Sequence, residues 1–211
     1  MSFGACHVGL IDYEAGNVRS IENALDHLGA RVSLVSQASD FEGKTHLLLP
    51  GVGAFGYCAD KLRATGLVPQ LRQWAIDDGR PLLGICVGMQ LLADRGEELG
   101  THDGLGLVGG TVRPLKGDPP SVRIPHVGWN DVTFADDFGS FRAGDTADFY
   151  FDHSFAYHDP VHGETLGTAE HGERFCAIVR RGKLVASQFH PEKSQRAGLR
   201  FLEGFLGIDP C

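Results

Sequence analysis

The chain has 211 residues, 42% of them apolar, and a formal charge of −8. A chain of this length buries roughly 70% of its unfolded surface, so a core forms without a disulfide or metal staple, and the acidic balance argues against nucleic-acid binding, which needs a basic face to displace counterions. No apolar run approaches the ~20 residues of a membrane helix, and Met1-Ser2-Phe3 opens no signal peptide, so a cytoplasmic protein that binds neither membrane nor nucleic acid is expected. From the N-terminus, Cys6 to Ile11 is a short β-rich run that breaks into a polar loop, Asp12 to Gly16. Val18, Ile21, Leu25 and Leu28 then form one helical stripe, with Gly29 where a helix C-terminus wants it. Arg31 to Val35 and Thr45 to Leu49 read as strands, Gly66 to Asp78 as a helix with Leu67, Leu71 and Trp74 aligned, and Pro81 to Ile85 as a buried strand. This alternation predicts a mostly parallel sheet with helices on both faces. Beyond about residue 110 the rhythm becomes more antiparallel: Thr111 to Leu115, Asp131 to Phe134, Asp148 to Phe151, Thr165 to Ala169, Phe175 to Arg180 and Leu184 to Phe189 are strand-like. Gly198 to Leu206 closes the chain as a helix. The expected fold is α/β and flavodoxin-like, and with no linker or repeat the simplest organisation is one domain over 1–211.

The five cysteines, Cys6, Cys58, Cys86, Cys176 and Cys211, are scattered and make no C-x-x-C pair, so reduced thiols are expected. Cys86 stands apart. In Pro81-Leu82-Leu83-Gly84-Ile85-Cys86-Val87-Gly88-Met89-Gln90 an apolar strand runs into G-x-C-x-G and then into a helical pattern. That is a nucleophile elbow with cysteine in the serine position. The turn crowds the backbone, so Gly84 and Gly88 must be small, and the sulfur is expected at a helix N-terminus that favours thiolate. The alternative is an inert buried thiol packed among glycines. A thiolate needs a base and the base an orienter: His190-Pro191-Glu192 follows a strand directly, and Pro191 fixes the backbone between imidazole and carboxylate. An isolated H-P-E would say little; with the elbow it completes a Cys86, His190, Glu192 set.

Acyl chemistry on an amide places charge on oxygen, which backbone N–H groups must receive. One donor is expected at Val87, the residue after the nucleophile, and the second in the Gly51-Val52-Gly53 loop. Flanking glycines allow the Gly51–Val52 peptide two states, one offering its N–H and one its carbonyl to the site. Gly51 to Gly56 also spells the G-x-G-x-x-G dinucleotide fingerprint, but it follows the third strand rather than the first and lacks the acidic residue some 20 positions on. A second match, Gly104 to Gly109, reads as a loop. Asp152, His153, His158 and His162 could suggest a metal, yet Asp159-Pro160 breaks any helix that would align them. No metal and no cofactor is expected.

Ile11-Asp12-Tyr13 with Gly16-Asn17, PGVGAFG at 50–56, GICVGMQLL at 84–92, Ile124-Pro125-His126-Val127-Gly128-Trp129-Asn130, Tyr150-Phe151-Asp152-His153-Ser154 and Gln188-Phe189-His190-Pro191-Glu192-Lys193-Ser194 together resemble the triad-type (class I) glutamine amidotransferases, in order and over most of the chain. PGVGAFG and PHVGWN single out the subfamily that feeds imidazole glycerol phosphate synthesis. The resemblance implies glutamine hydrolysis through a γ-glutamyl thioester on Cys86, with His190 moving protons and Glu192 orienting it. Gly53, Gln90 and the Ser154-Phe155 backbone would hold glutamine. It implies a heterodimer with a (β/α)8-barrel cyclase, through which ammonia reaches a ribulosyl-imidazolecarboxamide nucleotide to give imidazole glycerol phosphate and aminoimidazole carboxamide ribotide, a step of histidine biosynthesis. Asn17, His126, Trp129, Tyr150 and Lys193 match positions near that partner. Glu14 stands where the family usually has glycine, and Asp152 where an apolar residue usually precedes His153. Rival outcomes on the same residues are ammonia supply to surface-polysaccharide amidation, a γ-glutamyl hydrolase or thiol peptidase, and a non-catalytic redox thiol protein.

Overall fold

Apolar runs buried on both faces suit the interior of a parallel sheet, and the strands β1 (His7–Ile11), β3 (His46–Leu49), β4 (Leu82–Ile85) and β13 (Leu184–Ser187) are of that kind. In this computed structural model, which describes residues 3–118, 121–158, 160–162 and 164–210, they pair in parallel with β2 (Arg31–Val35) in the order β2-β1-β3-β4-β13. Met1, Ser2, Asp159 and Cys211, to which some of the expectations above refer, lie outside the described residues.

Past β13 the sheet turns mostly antiparallel through β12 (Glu173–Arg181), β10 (Phe155–His158) and β7 (Thr111–Pro114), and ends in the two-residue strands β5 (Arg95–Gly96) and β6 (His102–Asp103). A ribbon branches off β12: β11 (Glu164–His171) pairs with β8 (His126–Phe134), and β8 with β9 (Thr146–His153). Helices α1 (Val18–His27), α2 (Phe55–Ala64), α3 (Val68–Arg72), α4 (Val87–Gln90) and α5 (Gln195–Leu206) complete the α/β architecture. The antiparallel half expected after residue 110 is present, and Gly29, with φ +80°, ends α1 as its position implied.

No element is expected from the sequence at α2, β5, β6 or β10, and three further elements differ from expectation. The helix foreseen over 66–78 begins at Val68, because Gly66 (φ +72°) terminates α2, and its last turn, Gln73–Asp77, widens to π geometry, with Asp78 N–H reaching the Gln73 carbonyl at 2.8 Å. β8 starts at His126, five residues before the expected strand. The segment after Cys86 is a single four-residue turn of helix.

The β8–β9 ribbon packs through aromatic rings. Phe149 stacks on Phe189 at 3.9 Å, and Phe189 meets Phe201 of α5 at 5.1 Å. Burying Phe189 between ribbon and helix fixes where the next residue, His190, emerges.

Candidate active site

The elbow forms where β4 ends. Cys86 takes φ +55° and ψ −115° and is buried, with its N–H bonded to the Ser187 carbonyl at the end of β13 (2.8 Å). The flanking glycines are sterically required. A Cβ on Gly88 would lie 2.0 Å from the Leu49 carbonyl oxygen, and one on Gly84 would lie 2.9 Å from the Gly88 oxygen. On Gly51 it would come within 2.5 Å of the Gly88 nitrogen. The elbow and the 50–53 loop therefore touch backbone to backbone, which brings Gly51, Val52 and Val87 to one place.

His190 follows β13 and is fixed at both faces of its peptide. Its N–H donates to the Tyr150 carbonyl (2.9 Å), and its carbonyl accepts from Ser194 Oγ (2.6 Å), which also accepts from Tyr150 N–H (2.9 Å). Ser194 thus ties the histidine to β9, a role the sequence motif contained without revealing. Glu192, in the short turn Pro191–Lys193, accepts from His190 Nδ1 at 2.8 Å with both side chains almost wholly buried. That bond directs Nε2 toward Cys86. Burial alone would disfavour the imidazolium, but the hydrogen bonds and charges of Cys86 and Glu192 outweigh it and raise the His190 pKa to about 10. The expected helix N-terminus is only one turn, too short for a sizeable dipole.

A cavity of ≈ 340 Å³ opens onto Cys86 and His190, walled by Val52, Gly53, Gln90, Glu98, His153 and the Ser154–Phe155 segment. Gln90 Nε2 donates to the Phe155 carbonyl (2.9 Å) and to Gln188 Oε1 (3.1 Å), and Gln188 Nε2 approaches Cys86 Sγ at 3.8 Å. Glu98, unnoticed in the sequence, accepts from Phe55 N–H (2.7 Å), closing the start of α2 and holding the end of the glycine loop. The loop's other contacts define its state. Tyr13 Oη donates to the Pro50 carbonyl (2.7 Å), the Cys58 thiol to the Val52 carbonyl (3.4 Å), and Val52 N–H to the Ala15 carbonyl (3.4 Å). Burial pushes the Cys58 thiol up to about 11, so it remains a donor. Val52 N–H is accordingly engaged with Ala15, and the Gly51 carbonyl of the same trans peptide points the opposite way.

Of the residues matched to a partner face, Trp129 (49% exposed) and Tyr150 face each other across β8 and β9, and Lys193 Nζ sits 5.6 Å from the Tyr150 ring centre. Asn17 immediately precedes α1, which packs against the Pro191–Lys193 turn. His126 differs from the other four, being 4% exposed and inside the ribbon. Glu14 adopts φ +64°, a conformation that suits glycine, and pairs with Lys61 at 2.5 Å. Asp152 lies on the cavity rim. Of the histidines weighed as metal ligands, His153 bonds Phe155 and His158 faces Arg113. No three such ligands gather among the described residues. No helix among them is long and apolar enough to cross a membrane.

Residues 9–206 match the family model for class-I glutamine amidotransferases. The chain is 48% identical to the imidazole glycerol phosphate synthase subunit HisH of Zymomonas mobilis over 96% of each chain. It is 42% identical to that of Rhodospirillum rubrum over 96% of this chain and 99% of that one. Among solved structures, a glutamine amidotransferase matches with TM-score 0.71 and 24% identity over 95% of this chain and 99% of that one. A glutamine amidotransferase of Thermotoga maritima matches with TM-score 0.65 and 21% identity over 98% of this chain and 87% of that one. These two likenesses speak to the fold alone. The identity to the HisH subunits, sustained over nearly the whole of both chains, carries further: this chain belongs to the class-I glutamine amidotransferases, in the family of HisH subunits of imidazole glycerol phosphate synthase.

Proposed function

We propose that this chain is the glutaminase subunit of an imidazole glycerol phosphate synthase, working in histidine biosynthesis as one glutamine amidotransferase domain. The observation that carries the reading is the buried line of Cys86, His190 and Glu192 at the mouth of a cavity with room for a free amino acid. Glutamine enters with its carboxamide carbon at Cys86 Sγ. The thiolate attacks, a C–S bond forms, and the oxygen takes the charge toward Val87 N–H. His190, protonated at Nε2, gives its proton to the leaving nitrogen, and the C–N bond breaks to release ammonia. Water then gives a proton to His190 and attacks the thioester carbon, the C–S bond breaks to return the Cys86 thiolate, and glutamate departs. Gly53, Gln90 and the 154–155 backbone hold the substrate, and its ammonium faces the Glu98 carboxylate.

The partner in this reading is a (β/α)8-barrel cyclase that receives the ammonia. Val127 (55% exposed), Trp129, Tyr150, Lys193 and the N-terminus of α1 form the docking face. Val52 is 39% exposed at the edge of the cavity, so a docked partner can press on the loop whose N–H now faces Ala15. Releasing that bond and flipping the peptide supplies the second oxyanion donor. Missing one such donor slows turnover about 10²–10³-fold. Steady-state glutamate release should therefore rise by that order when the cyclase and its nucleotide bind. Equal rates with and without them would make the loop a fixed wall and defeat the activation part of the reading.

A further inference from the structure

Two buried imidazoles of the β8–β9 ribbon take no part in the chemistry above, yet they lead to the glutamine cavity. His126 Nδ1 lies 2.9 Å from His153 Nε2, and His153 Nδ1 lies 2.8 Å from the Phe155 carbonyl oxygen. A carbonyl only accepts, so His153 carries its proton on Nδ1 and presents Nε2 as an acceptor. His126 must then donate from Nδ1, which leaves its own Nε2 to accept. Asn130 Nδ2 supplies that hydrogen at 3.2 Å. The amide of Asn130 is itself held in this orientation: Oδ1 accepts from Asp131 N–H (2.9 Å), and Nδ2 also reaches the Glu170 carbonyl (2.9 Å). Both ends of the chain are set by groups that do not titrate, and one arrangement of protons satisfies every member.

The surroundings keep this chain uncharged. His126 is stacked between Phe151 (4.7 Å) and His171 of β11 (4.0 Å). Burial first, then the neighbouring His153 and His171, hold its pKa down to about 3. For His153, burial and the charges of His171 and His190 outweigh the Phe155 carbonyl and the Asp152 carboxylate, giving about 4. A charge on His153 would also oppose the His190 imidazolium that the reaction needs.

At its inner end the chain meets the substrate wall. The Phe155 carbonyl accepts from both His153 Nδ1 and Gln90 Nε2. Its two lone pairs are therefore occupied, and it acts as a pin for the adjoining Ser154–Phe155 backbone rather than as a contact to glutamine.

We infer that His126 and His153 are positioning residues for glutamine, a neutral one-directional hydrogen-bond relay running from Asn130 on β8 to the Phe155 carbonyl that pins the 154–155 wall of the cavity. The inference rests on the glutaminase reading of that cavity. It also accounts for His126, whose burial keeps it from touching a partner while its neighbours Trp129 and Val127 stand exposed.

Glutamine hydrolysis by the chain assembled with its synthase partner tests the relay. His126→Phe keeps the ring stack and removes both nitrogens. His153→Leu removes the donor to Phe155, and His153→Asn restores a donor at the Nδ1 position. Losing one such hydrogen bond is expected to raise KM for glutamine about ten-fold in His126→Phe and His153→Leu, with kcat within about three-fold, and His153→Asn should return KM to near the wild-type value. Imidazole ¹⁵N spectra of the wild-type chain should show both rings protonated at Nδ1 and not titrating between about pH 6 and 8. Unchanged KM in the first two variants, equal damage in His153→Leu and His153→Asn, or an Nε2-protonated tautomer at either ring overturns the relay. A wild-type complex that releases no glutamate would instead defeat the glutaminase reading itself.

Discussion

Cys86 should destabilise the fold that holds it. At φ +55°, ψ −115° the Cβ of Cys86 crowds the backbone, and a non-glycine residue held in such a region costs about 1–3 kcal/mol. Replacing Cys86 by glycine removes that strain, whereas alanine keeps it; neither has a sulfur, so the thiol–imidazole interaction cancels in the comparison. Glycine also loosens the unfolded chain, which at an unstrained position makes it less stable than alanine by about 0.4–1 kcal/mol. At this position the strain is the larger effect, so Cys86→Gly should be more stable than Cys86→Ala by about 1 kcal/mol. For a chain of this length that corresponds to a Tm about 2–4 °C higher. Calorimetry of the two variants side by side at neutral pH reads the difference directly. If alanine were the more stable, the elbow would be relaxed, and the physical reason for Gly84 and Gly88 would fall with it.

Removing the base should harm glutamine hydrolysis more than removing its orienter, because a mispositioned imidazole remains chemically competent. His190→Ala should lose about 10²–10⁴-fold in kcat and Glu192→Ala less; equal losses would mean that Glu192 also holds the fold. The pH dependence of stability follows from the raised His190 pKa. The folded state binds this proton more tightly than the unfolded state, so the contribution is full below the ordinary value near 6.5 and disappears as pH climbs through about 10. The Tm difference between wild type and His190→Gln should shrink across that window, and a difference that widens with pH contradicts the assignment.

The parts of the site that depend on local sterics were legible in the sequence. G-x-C-x-G means a tight strand-to-helix turn whatever surrounds it, and Gly84, where an added Cβ would lie 2.9 Å from the Gly88 oxygen of the same turn, bears that out. The parts that depend on distant partners were not. The strand was expected only from Asp131, yet β8 begins at His126 and runs through Gly128 (φ +135°) because β9 pairs with it from His126 to Thr133. Gln188 lies one residue past β13, and its amide acquires a role only when Gln90, 98 positions away, folds beside it. Glu98 sits in a loop of Glu, Leu and Gly with no periodic signal, and its purpose comes from Phe55 N–H at the far end of the glycine loop. His126 carried a motif-level expectation of surface contact that burial within the ribbon changes into a link toward Phe155. The short α4 likewise follows from tertiary crowding, since Leu91 and Leu92 pass directly into the loop that pairs with Leu105 and Leu107.

The central claim is that Cys86 is the sulfur that receives the γ-glutamyl group, and labelling tests it most directly. A glutamine analogue carrying a diazo-ketone in place of the carboxamide needs both the cavity and an activated thiolate to react. Peptide mapping by mass spectrometry after treatment should find a single adduct on Cys86, abolished by excess glutamine and absent from Cys86→Ser. The buried Cys58 and Cys176 and the half-buried Cys6 should remain unmodified. Comparable labelling of Cys58 or Cys176, or an adduct on Cys86 that glutamine does not prevent, would contradict the assignment.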